Sequence, residues 1–247
     1  VKFEAVLFDL GGTLIIYENK YTWKELALLG CRSAVPVVKE ITGIEVAAKE
    51  LWEELLRTID WNLKEHADDL AEIRIYDIIA SILGKFDIEV TDGLPARFLD
   101  SYYRPTTEQI ALVPGAADIL SRLKDAGLKI GLISNSIFPS DFHRGEMKRF
   151  GILDYFDFTI FSSEVGIRKP RKDIFMKALS LAGSSPRRTI FVGDRLVEDI
   201  AGPQSVGIRA ILKFDNRRDY SEPIKPCRTI YDLKELEEMI INQEEEP

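Results

Sequence analysis

The chain has 247 residues, 45% of them hydrophobic and 30% charged, with a formal net charge of −8. That length suits one large domain or one domain carrying a smaller insertion, and the hydrophobic content is enough to bury a core, so disorder is excluded as the default. Acidic and basic residues are mixed along the chain, which argues against a nucleic-acid coat, and no apolar run approaches the roughly 20 residues that span a membrane.

The opening segment VKFEAVLFDLGGTL lacks the basic start and small-residue cleavage site of a signal peptide. Its first residue is Val1, which reads as processing or trimming of an initiator Met. Residues 4–9 (EAVLFD) form a β-branched and aromatic run expected to be a buried strand, and Gly11-Gly12 marks a tight turn after it. From about 18 to 107 the pattern changes. Ala47–Asn62 and Leu70–Leu83 repeat apolar residues at three- and four-residue intervals, which predicts a helical unit. Its Trp23, Trp52, Trp61, Tyr102 and Tyr103 read as core aromatics.

From Pro114 strands and helices alternate. Helices are expected over Ala116–Ala126, Asp141–Phe150, Asp173–Ala182, Leu196–Val206 and Leu233–Asn242. Strands are expected over Lys129–Ser134, Phe158–Ser162, Thr189–Val192 and Arg209–Lys213. Repeated βα units imply an α/β fold, a Rossmann-like parallel sheet flanked by helices. One strand precedes the helical unit and the rest follow it. The expected organisation is therefore an α/β core of residues 1–17 and 108–247 with a helical domain, 18–107, inserted over the sheet edge where the first strand ends. Cys31 and Cys227 show no metal-ligand spacing and read as buried thiols in a reducing cytosol. The tail Glu244-Glu245-Glu246 reads as a solvated end. High charge with scarce Asn, Gln, Cys and Met leans towards a thermophile.

In parallel sheets, ligands bind beyond the carboxyl ends of the strands. Polar groups stand there at Asp9, Ser134-Asn135, Ser162-Ser163 and Gly193-Asp194. Each is ambiguous alone. Asp9 could be a turn or cap residue. Ser134 with the backbone after it could bind phosphate oxygens or be an ordinary loop. Lys169, before Pro170 in the basic run Arg168–Lys172, could deliver a cation or be solvated. Asp194 and Asp199 straddle a strand-to-helix turn and could hold Mg²⁺ or cap the helix.

The four together, in this order, carry a resemblance. FDLGGTL at 8–14, ISN at 133–135, Lys169-Pro170 and GDRLVED at 193–199 resemble the motifs of the haloacid dehalogenase-like (HAD) superfamily of hydrolases and phosphotransferases. The helical insert matches that family's type-1 cap in position and helicity. The resemblance implies a Mg²⁺-dependent phosphatase acting on a small phosphorylated substrate in the cytoplasm, with neither nucleic acid nor membrane as partner. Asp9 would be the nucleophile and form an aspartyl-phosphate. Asp9, the Gly11 carbonyl and Asp194 would hold Mg²⁺. Ser134, Asn135, Lys169 and Gly12 would hold the phosphoryl oxygens. Thr13 would brace the Asp9 loop, and Asp199, with Glu198 ranked second, would support the metal's water shell or orient Lys169.

The chain departs from the family at Gly11, where phosphatases carry a second Asp as acid/base. A positioned acid/base contributes roughly 10²–10⁴ in rate. Glu18, His66 or the Asp68-Asp69 pair could replace it, or the substrate could be an acyl phosphate with a good leaving group. A phosphonate-cleaving relative would instead use a Schiff-base lysine such as Lys49. Dehalogenases also lack the second Asp, but the acids at 194 and 199 argue against metal-free chemistry. A phosphate- or metal-binding regulatory protein with little turnover is the remaining alternative.

Overall fold

A computed structural model describes residues 2–91 and 93–241. The acidic tail Glu244–Glu246 and Asn242, the last residue of the expected closing helix, lie outside the described residues. The chain divides into two compact units, one running through Ile16 and resuming at Leu112, the other Tyr17–Ala111.

The first unit opens with β1 (Ala5–Phe8) and β2 (Ile15–Ile16). Four helices follow: α1 (Trp23–Thr42), α2 (Ala48–Glu65), α3 (Ile75–Lys85) and α4 (Leu94–Gln109). Then come β3 (Ala111–Leu112), α5 (Ala116–Asp125), β4 (Lys129–Ser134) and α6 (Ser140–Arg149). β5 (Phe158–Phe161), α7 (Ser162–Val165), α8 (Lys172–Ala182), β6 (Thr189–Gly193), β7 (Arg209–Lys213) and β8 (Arg228–Ile230) complete the order.

Six strands form one sheet in the order β5-β4-β1-β6-β7-β8, and every pair is parallel. β1 is buried at each of its residues, as a strand covered on both faces must be. On one face Leu7, Ile133, Ile160, Ile174, Phe175 and Phe191 pack together, the two phenylalanine rings meeting edge-on at 5.7 Å. β1 lies between β4 and β6, with Phe8 level with Leu132 on one side and Val192 on the other. The carboxyl ends of these three strands therefore finish together, at the point where the order runs out to either side of β1.

In the helical unit, Thr22 and Glu25 form a capping box that starts α1. α1 and α4 approach closely because Gly30 faces Tyr102. A Cβ at Gly30 would stand 2.6 Å from the Tyr102 carbonyl oxygen. No helix of the described residues is long and apolar enough to cross a membrane.

Several expectations are corrected. The helix predicted from Leu70 begins at Ile75, because Leu70 sits at φ +53°, outside helical backbone. Trp23 and Trp61 are 51% and 61% exposed rather than core. Trp23 is the first residue of its helix, and Trp61 lies off the Leu51/Leu55/Thr58 stripe that α2 buries. Cys227 is exposed, just before the edge strand β8, while Cys31 is buried as expected. The helix expected from Leu196 is present, with π-helical bonding over Leu196–Ala201 and α-helix over Gly202–Gln204, and Pro203 has no N–H to donate into it. The predicted closing helix is reduced to a late turn, with π-helical bonding over Glu237–Ile241. β8 has too few residues to give a sequence signal.

Asp157, just before β5, fastens that strand to β4. Its carboxylate accepts from the Ile130 N–H at 2.9 Å and from Lys124 and Lys129 at 2.9 and 3.1 Å. Burial pushes this carboxyl up, but the Ile130 N–H and the two lysines outweigh burial and hold it at about 2, below its ordinary 3.8. A depressed folded-state value stabilises above the unfolded value and loses that contribution as pH falls through the folded one. Asp157→Asn is expected to cost about 1 kcal/mol at pH 7, after allowing for solvent around the lysines. Urea midpoints should show that gap narrowing only as pH drops from about 4 towards 2.

Candidate active site

Asp9 is the first residue past β1, and its N–H donates to the Val192 carbonyl at 2.9 Å, extending the β1–β6 ladder by one step. The chain then reverses: the Leu14 and Ile15 N–H groups both donate to the Leu10 carbonyl, at 2.8 and 2.9 Å. Gly12 adopts φ +86°, and a Cβ there would lie 2.2 Å from Asp194 Oδ2. Glycine is thus required twice at this position, for its backbone conformation and for the approach to Asp194. The Gly12 N–H donates to the Ile15 carbonyl at 2.8 Å, so what Gly12 contributes to the site is room.

Lys169 comes from the loop between α7 and α8. Asn135, just past β4, pins its backbone: the Lys169 N–H donates to Asn135 Oδ1 at 2.8 Å, and Asn135 Nδ2 donates to the Lys169 carbonyl at 2.9 Å. The Lys169 ammonium is buried, 5.2 Å above the Phe191 ring. It donates to Asp9 Oδ1 at 2.8 Å and Asp199 Oδ1 at 2.6 Å. An unpaired buried ammonium would shed its proton. Burial does work against its charge, but the Asp199 and Asp9 carboxylates outweigh burial and hold it above the usual lysine value.

Asp199 accepts at its second oxygen from the N–H groups of Asp194 and Arg195, at 3.2 and 3.0 Å. Asp194 is fully buried at the end of β6. Burial and the neighbouring Asp9 push its carboxyl above the ordinary range, and Arg218 opposes them. Arg218 Nε donates to Asp194 Oδ2, whereas the buried Oδ1 has no hydrogen-bond partner among the described residues. Asp9, Asp194 and Asp199 each offer an oxygen, all within 4.8 Å of one another. Buried carboxylates this close repel unless cations lie among them. Hard oxygen donors and an unsatisfied carboxylate oxygen fit a divalent cation such as Mg²⁺.

Thr13 Oγ1 donates to Asp9 Oδ2 at 3.4 Å. Ser134, the last residue of β4, is buried level with Phe161. Glu198 stands apart from the three acids, 30% exposed, with Arg195 3.8 Å away. In the helical unit Glu18 accepts from the Trp23 N–H at 2.9 Å, His66 Nδ1 lies 3.2 Å from Asp69, and Asp68 is exposed. Lys49 is 78% exposed, with Glu53 at 3.8 Å.

Two arrangements have no counterpart in the sequence reading. One is the partly buried Ser136 with buried His143 and Glu146, linked at 2.6 and 3.1 Å next to Asn135. The other is Arg218 with Tyr220, whose hydroxyl donates to the Asp194 carbonyl at 3.2 Å. No motif marks either. Arg218 follows the expected strand Arg209–Lys213, and inspection of that strand's carboxyl end, alongside the others, would have found it.

Lys169→Met leaves Asp9 and Asp199 without their shared cation, and is expected to cost roughly 3–5 kcal/mol in chelator. Thermal or urea unfolding should show part of that loss recovered on adding MgCl₂, because a divalent cation supplies the missing charge.

The chain matches the model of the haloacid dehalogenase-like hydrolases over residues 3–207. It is 33% identical over 147 residues to the pyrimidine 5'-nucleotidase YjjG of Escherichia coli, an alignment covering 59% of this chain and 64%, less than two thirds, of that protein. It is 26% identical over 244 residues to the glyceraldehyde 3-phosphate phosphatase of Methanocaldococcus jannaschii, covering 97% of each. The crystal structure of an HAD phosphatase from Thermococcus onnurineus superposes with a TM-score of 0.65 at 25% identity, covering 96% of this chain and 97% of that one. With that match running from β1 past β6, across the strand ends where the acids and Lys169 meet, the chain belongs to the haloacid dehalogenase-like hydrolase family.

Proposed function

We propose that the protein is a Mg²⁺-dependent phosphatase of a small phosphorylated metabolite, with Asp9 as its nucleophile. One observation carries this reading: Asp9 shares a buried lysine with Asp199, beside an Asp194 oxygen that no group among the described residues satisfies. The nucleotidase and the glyceraldehyde 3-phosphate phosphatase above add support, since both are named for small phosphorylated substrates.

In this reading Asp9, the Gly11 carbonyl and Asp194 hold Mg²⁺. When bound, the ion offsets the repulsion between an anionic nucleophile and an anionic phosphoryl group. Lys169, Ser134 and the Asn135 backbone N–H hold phosphoryl oxygens. Asp9 attacks phosphorus and the substrate oxygen departs with the P–O bond electrons. Water then cleaves the aspartyl-phosphate, regenerating Asp9 and releasing orthophosphate. Thr13 orients Asp9, and Asp199 holds the Lys169 ammonium in place. The helical unit, which the chain enters directly after the Asp9 loop, corresponds to the family's type-1 cap.

The departing oxygen needs a proton, and Gly11 has no side chain to give one. Gly11, unlike Gly12, does not adopt positive φ, so its backbone accepts an L side chain without that strain. This same gap favours the second reading, a phosphate-binding protein of low turnover.

Assay of aryl, acyl and sugar phosphates with Mg²⁺ is expected to show hydrolysis, with acyl phosphates least dependent on an acid. Asp9→Asn is expected to lower turnover by about 10³-fold or more. Silence across the panel with Mg²⁺ still bound would leave the binding protein standing. Gly11→Asp is expected to raise kcat for sugar phosphates by about tenfold or more and to change acyl phosphates little. Equal gains on both classes would rule out a missing proton donor as the limitation.

A further inference from the structure

The loop after β7 folds back onto Asp194 and is itself tightly built. The Asp215 N–H donates to the Tyr220 hydroxyl oxygen at 2.9 Å, and the Asp215 carboxylate accepts from the Arg217 N–H and Nε at 3.0 and 2.8 Å. Tyr220 packs on the Leu196, Ile200, Ala210 and Leu212 cluster and lies 5.3 Å from the Phe214 ring. This turn holds Arg218 with Nε on Asp194 Oδ2, its side chain only 20% exposed. A terminal guanidinium nitrogen comes within 3.0 Å of where a Gly12 Cβ would stand. Arg218 thus reaches both the carboxylate and the nucleophile loop.

We propose that Arg218 is a tethered countercharge for Asp194 that weakens divalent-cation binding until an anion is present, so coupling the cation to the phosphoryl group. The proposal rests on reading Asp194 as a metal ligand. Three buried carboxylates face the cations Lys169 and Arg218. Lys169 is committed to Asp9 and Asp199, so Arg218 neutralises Asp194. A guanidinium keeps its charge across the working pH range. A divalent cation on Asp194 must therefore share the carboxylate with a fixed positive charge, in surroundings that screen poorly. A phosphoryl dianion at the same place compensates both cations. Arg218 acts through Asp194 and is a positioning residue. A simple brace would have the opposite signature, because its loss would loosen Asp194 and weaken metal binding.

Calorimetric titration of the full chain with MgCl₂, with and without inorganic phosphate, separates the two. Arg218→Gln is expected to bind Mg²⁺ alone about tenfold tighter than the unaltered protein. The tightening that phosphate produces should shrink by a similar factor, and Arg218→Lys, which keeps the charge, should stay within about threefold of the unaltered protein. Unchanged or weaker Mg²⁺ binding by Arg218→Gln overturns the proposal. If that variant does not fold, Arg218→Met, which keeps the aliphatic stem and removes the charge, is expected to tighten Mg²⁺ by about tenfold. No tightening there overturns the proposal equally. Asp194→Asn separates the underlying reading: full Mg²⁺ binding by that variant removes Asp194 as a ligand, whatever Arg218 does.

Discussion

A single buried ammonium holds the site together. Lys169 lies between Asp9 and Asp199 at 2.8 and 2.6 Å, with almost no water around it. Two carboxylates this close, buried beside a third, would take up protons or separate without it. The ion pairs in turn justify the burial of the lysine. Much nearby structure serves to deliver that ammonium. Asn135 pins its backbone from both sides, the Phe191 face lies beneath it, and the Asp194 and Arg195 N–H groups fix the carboxylate that receives it.

The sheet makes this economical. Because β1 runs between β4 and β6 in parallel, Asp9, Ser134 and Asp194 reach one edge from segments far apart in the chain. Gly12 lets the Asp9 loop close against Asp194, where any Cβ would collide. The remaining imbalance sits on Asp194, with one oxygen on Arg218 and the other on no group among the described residues. That asymmetry places the loop after β7 in the same electrostatic unit as the strand ends.

Gly11 sets the chemistry apart from its usual course. On the proposed reading, holding a phosphoryl group would not depend on that side chain, whereas proton delivery to a leaving oxygen would. The four helices of Tyr17–Ala111 carry acids of their own. Within that unit the Glu18 carboxylate accepts from the Trp23 N–H and the Asp69 carboxylate from the Ala71 N–H.

The α/β class, the inserted helical unit and the buried strands were legible because their causes are local. Continuous apolar runs, three- and four-residue periodicity and glycines at turns act within a few residues of chain. Asp9, Lys169 and Asp194 were legible together through their motifs' resemblance to the haloacid dehalogenase-like family, although each was ambiguous alone. The exposure of Trp23 and Trp61 and the late start of α3 were not, since burial depends on which face a helix presents and one left-handed residue outweighs a periodic pattern. Nor was Arg218, which meets Asp194 across 24 residues of chain with no motif between them. The sequence by itself determined which carboxylates stand at strand ends and which lysine precedes a proline in a loop. Only the tertiary structure decided which of them share a proton donor and which oxygen is left unsatisfied, because those outcomes depend on distances of a few ångströms between loops that only the packed sheet brings together.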